Sequence, residues 1–60
     1  MSKIEKLVVS TLKDSDDGLT LAEIAERTGE SEKRIFKALR KLFEKEMIDT
    51  GNRSYRLANG

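Results

Sequence analysis

The sequence contains no cysteine, no histidine and no proline. Without cysteine, neither a disulfide nor a thiolate metal site holds the fold together. The added lack of histidine excludes the common zinc sites and any cysteine- or histidine-based nucleophilic chemistry. Without proline, nothing interrupts a helix from inside. Long hydrophobic runs are missing as well, and no stretch approaches the ~18 apolar residues of a membrane-spanning helix. The first residues lack the apolar core of a secretory signal, which, with the absence of cysteine, points to a cytoplasmic address. There is no glycine-rich phosphate loop with its lysine and no nucleophile–base pair. The expectation is therefore a protein that is not an enzyme and needs no cofactor.

What is present fits one domain, residues 1–60. A chain this short buries only about 60% of its unfolded surface, so its core is thin. Apolar residues make up 37% and charged residues 38%, but the apolar ones are patterned, which argues against disorder. Charge is uneven along the chain. Residues 1–30 carry four cations against seven anions, and residues 31–60 carry eight cations against four anions. Such a dipole between halves suggests one face meant for an anionic partner; the plain alternative is a solvated surface.

Ile4, Leu7, Val8 and Leu12 fall on one helical face, and Ser2 with Glu5 matches a capping box, so a first helix is expected over about 3–13. Asp14 to Gly18 reads as a loop. It hints at a calcium loop, but its glycine comes one place early and Ala25 stands where the final glutamate belongs. Thr20 with Glu23 forms a second capping box, opening a helix over about 20–28 that Gly29 ends. Leu19, just ahead, is expected to be a short extended arm that pairs with a later hairpin. Ser31 caps a third helix over about 32–45, with Ile35, Ala38, Leu39 and Leu42 as its inner stripe and Phe36 and Phe43 widening it. From about 47 to 57 the alternation of Ile48, Tyr55 and Leu57 with polar residues predicts a hairpin turning at Gly51-Asn52. An isolated hairpin is unstable in water, so this one must lie on the helices.

The fold class is thus mainly α with a small β-hairpin, in the order helix, helix, tight turn, helix, hairpin. That order is a three-helix winged helix-turn-helix. The run Gly18-Leu-Thr-Leu-Ala-Glu-Ile-Ala-Glu-Arg-Thr-Gly29 resembles the first helix and turn of bacterial and archaeal winged helix-turn-helix regulators. The closest likeness is to the DNA-binding domain of IclR-type repressors. Ser31 to Leu42 and Met47 to Leu57 are similar to their recognition helix and wing. The same pattern recurs in MarR-type and ArsR-type regulators, in the DprA C-terminal domain and in the middle subunit of RPA, and some of these relatives bind proteins. IclR-type repressors carry an effector domain after the wing for which these residues have no counterpart, so no small-molecule ligand is expected. The resemblance implies a transcriptional regulator with double-stranded DNA as partner.

Residue chemistry points the same way. Opposite the Ile35–Leu39–Leu42 stripe cluster Lys33, Arg34, Lys37, Arg40 and Lys41. Five cations on a recognition helix suit phosphates and base edges in the major groove. Ser31 and Thr20, at helix starts, are candidates to hold a phosphate. Arg53 at the wing tip would reach the minor groove or backbone, with Arg56 reinforcing it. Glu30 and Glu32 oppose a phosphate at the start of the third helix, although acids there favour the helix dipole; Glu44 and Glu46 dilute the field. A module with so few phosphate contacts binds weakly, so lasting occupancy calls for a homodimer or a larger protein partner. Phe36, Phe43 and Met47 offer the alternative of a protein-docking patch.

Overall fold

The computed structural model describes residues 1–58; the last two positions of the expected domain lie outside the described residues. Three helices and three short strands follow in the order α1 (Lys3–Lys13), β1 (Leu19–Thr20), α2 (Leu21–Thr28), α3 (Glu32–Glu44), β2 (Ile48–Gly51) and β3 (Ser54–Leu57). This is the winged-helix-like arrangement expected, with boundaries displaced by one residue at most.

Local capping chemistry sets those boundaries. In the α1 box the Ser2 N–H donates to Glu5 Oε1 at 2.9 Å, and the Glu5 N–H donates to Ser2 Oγ at 3.3 Å. Thr20 and Glu23 repeat the exchange at 2.9 and 3.2 Å. Thr20 is therefore the N-cap of α2 rather than its first residue. Gly29 ends α2 in the left-handed region at φ 77°, and its N–H donates to Ala25 O at 2.9 Å. Three residues then join α2 to α3, as in a helix-turn-helix unit.

Helix α3 closes with a Schellman motif. Met47 N–H reaches Leu42 O and Glu46 N–H reaches Phe43 O, each at 3.0 Å, with Glu46 left-handed at φ 59°. Met47 is partly buried against the core that contains Leu42, the apolar contact usual for the motif.

The sheet has the order β1-β3-β2, all antiparallel, so the last strand is central. Leu19 pairs with Tyr55, and the short arm expected ahead of α2 is present. The hairpin turns one residue later than the sequence suggests. Gly51 is still in the ladder opposite Ser54, and the two turn residues are Asn52 (φ 51°) and Arg53 (φ 66°). Positive φ at both centres is what a type I′ turn requires. The later turn places Thr50 opposite Tyr55 and Ile48 opposite Leu57, so both apolar residues of β3 gain a same-face neighbour on β2.

The core joins five of the six elements: Val8 and Leu12 from α1, Leu19 from β1, Ile24 and Ala25 from α2, the α3 stripe Ile35, Ala38, Leu39 and Leu42, and Ile48 from β2; Tyr55 and Leu57 of β3 pack against it, partly buried. Two expectations fail here. Phe36 and Phe43 do not extend the buried stripe; they are 46% and 54% exposed. They lie roughly a quarter turn round from its centre, at about 100° per residue, on a flank that the sheet leaves open. In α1, Ile4 and Leu7 are only partly buried, and Glu5 is buried in their place.

Candidate nucleic-acid interface

Helix α3 packs against both α1 and α2, with β2 along its C-terminal half, and turns its remaining face to solvent. Its five cations, Lys33, Arg34, Lys37, Arg40 and Lys41, are all exposed. Lys33, Lys37 and Arg40, at i, i+4 and i+7, run along the exposed edge farthest from the core stripe. Arg34 and Lys41 lie on the side nearer α1, where with Lys3 and Lys37 they border a groove of about 590 Å³. Arg34 is further engaged by Glu30 one turn earlier, Nη1 to Oε1 3.5 Å.

Each of the two capping hydroxyls accepts a backbone N–H of its own helix. Ser31 Oγ accepts the Arg34 N–H at 3.2 Å. Thr20 Oγ1 accepts the Glu23 N–H, while its own N–H is held by the Glu23 carboxylate. That Thr20 N–H bond is the main reason the Glu23 carboxyl lies below its ordinary range. The start of α2 thus carries its own anion where a phosphate would sit. At α3 the capping turn is flanked by Glu30 and Glu32, with Glu30 balanced by Arg34.

Arg53 occupies the exposed tip of the hairpin. Arg56 does not join the α3 cations. Strand alternation puts Ile48, Thr50, Tyr55 and Leu57 on the sheet face toward α3 and Asp49 and Arg56 on the other. There Arg56 shares a shallow pocket with Lys13, Asp16 and Asp49 at the end of α1. Between α3 and the hairpin lies a second groove, of about 230 Å³, lined by Phe36, Phe43, Tyr55, Thr50 and Arg40. Lys3 and Tyr55 border these two grooves, and sequence reading missed both as surface residues of interest. No local signal marks them, since each becomes a neighbour of α3 only through tertiary packing.

Among the described residues no cluster of acidic side chains is arranged to hold a metal ion. No helix among them is long and apolar enough to cross a membrane. Compared with known protein families, with curated proteins and with solved structures, the chain matches none.

Proposed function

We propose that this domain binds double-stranded DNA, with α3 in the major groove and the hairpin tip on the backbone or minor groove, as the reading module of a transcriptional regulator. The observation that carries this reading is the exposed line of Lys33, Lys37 and Arg40 on the helix after the three-residue turn. An arginine on such an edge suits guanine O6 and N7, and lysines suit phosphates. Arg53 adds a cation at the hairpin tip, where a wing meets DNA. The IclR-like character of the sequence belongs to the same proposal, as do a cytoplasmic site of action and a purely binding, non-catalytic role.

The test is a titration of a pool of short duplexes at 50 and 200 mM salt. With three phosphate contacts, from Lys33, Lys37 and Arg53, affinity falls roughly fortyfold across that range. The Lys37→Glu, Arg40→Glu variant binds far more weakly and with a flatter salt dependence. Binding indifferent to both salt and charge reversal rejects the reading.

One observation favours a second reading, a winged domain that docks a protein in a replication, repair or transcription complex. Phe36 and Phe43 stand open to solvent two turns apart on one flank of α3, an unusual cost for a monomer of this size. A Phe36→Ser, Phe43→Ser variant that keeps duplex affinity but loses self-association or partner capture supports it. Concentration-dependent mass measurement reports whether the chain forms a homodimer.

A further inference from the structure

We propose that the groove between α1 and α3 docks an acidic amphipathic peptide segment of a partner protein. Its floor is apolar, made by Ile4 and Leu7 of α1 and the buried Ala38 of α3. Its rim is cationic: Lys3 stands on one side, and Arg34, Lys37 and Lys41 on the other. The anions nearby are largely satisfied within the fold. Glu30 is paired with Arg34 at 3.5 Å, and Glu5 directs its oxygens to the Ser2 N–H at 2.9 Å and to Lys45 at 3.4 Å. The groove therefore presents a net positive rim around a hydrophobic floor.

That combination selects the occupant. A phosphodiester backbone would meet the cations but leave Ile4 and Leu7 against charged oxygens and water. A peptide helix with leucines along one face and aspartates or glutamates beside them matches both, apolar anchors to the floor and carboxylates to the rim. The volume of about 590 Å³ suits a few such side chains. This surface is distinct from the Phe36–Phe43 groove, and the proposal does not depend on DNA binding.

The experiment uses two synthetic peptides of identical composition. One carries leucines at i, i+3, i+4 and i+7 with acidic residues between; the other spreads the same leucines around the helix. Each is titrated into the labelled full chain and followed by amide and methyl chemical shifts. The first peptide is expected to saturate, with shifts centred on Ile4, Leu7, Ala38 and Lys41, and to bind at least tenfold more tightly than the second. Lys3→Ala and Leu7→Gln are each expected to weaken it several-fold. Should Leu7→Gln unfold, as circular dichroism would report, the exposed Lys3→Ala carries the test. Equal affinity for the two peptides, shifts centred on Phe36, Phe43 and Tyr55, indifference to Lys3→Ala, or no saturable binding overturns the proposal.

Discussion

Glu5 and Lys45 are forty positions apart in sequence, yet Glu5 Oε2 lies 3.4 Å from Lys45 Nζ, which ties the start of α1 to the end of α3. The carboxylate is almost fully covered, and its other oxygen holds the Ser2 N–H. One side chain thus caps one helix and pairs with a cation at the C-terminus of another, where a positive charge also favours the helix dipole.

Glu5 is expected to make the fold acid-sensitive. Its carboxyl is held below the ordinary value of 4.5, chiefly by the Ser2 N–H; burial opposes this and Lys45 assists it. A depressed folded pKa means that the charged form stabilises the native state. That contribution is complete above about 4.5 and is lost as pH falls through the lowered folded value. Melting temperatures of wild type and Glu5→Gln should therefore differ near neutrality and converge as pH falls below 4.5. A constant gap across that range assigns the carboxylate no such part.

Glu46→Gly should stabilise the domain by ~1 kcal/mol, because glycine occupies the left-handed region without the Cβ clash that glutamate suffers. Removing a negative charge beyond the C-terminus of α3 acts in the same direction. A rise in the urea midpoint at unchanged slope checks it; a fall means that the Glu46 side chain has a role its backbone geometry does not reveal.

Two glycines with positive φ should respond unequally to alanine. At Gly18 (φ 88°) a Cβ would lie 3.0 Å from the Tyr55 carbonyl oxygen, backbone that cannot step aside without disturbing the sheet. At Gly29 (φ 77°) a Cβ would meet nothing within 4 Å. Gly29→Ala should cost ~1 kcal/mol from backbone strain alone, and Gly18→Ala up to ~3 kcal/mol. Chemical denaturation of the pair reads the difference, and equal losses would remove the close approach as a cause.

Arg53→Gly should separate stability from binding. Arginine at the second centre of a type I′ turn is unfavourable, so glycine is expected to raise stability by ~0.5–1 kcal/mol. If the tip meets DNA, the same change weakens duplex binding and lowers the salt slope by about one contact. Stabilisation with unchanged duplex affinity would remove Arg53 from the interface.

Much of the fold was legible because its signals are local. Ser2 with Glu5, Thr20 with Glu23, Ser31 and Gly29 mark helix ends within a few residues of each other, and the helices begin and end at them. What was not legible depends on distance. Nothing near Phe36 or Phe43 in sequence says how far the sheet will reach across α3. Nothing near Glu5 announces Lys45. The wheel that groups five cations on α3 is correct as geometry, but it does not know that α1 lies along one side, where Arg34, Lys37 and Lys41 border a groove. The hairpin turn slipped by one position because pairing of Tyr55 and Leu57 outweighed the local preference for glycine at its centre.

The central place of β3 has a consequence for synthesis. Both β1 and β2 find their hydrogen-bonding partner only in the strand that is synthesised after them. A nascent chain that has released α1, α2 and α3 still lacks every rung of the sheet, and Leu19 waits for Tyr55 to appear. The domain therefore completes its sheet after translation has passed the hairpin, and a stop codon at Asn52 or Arg53 leaves β1 and β2 with no ladder to join.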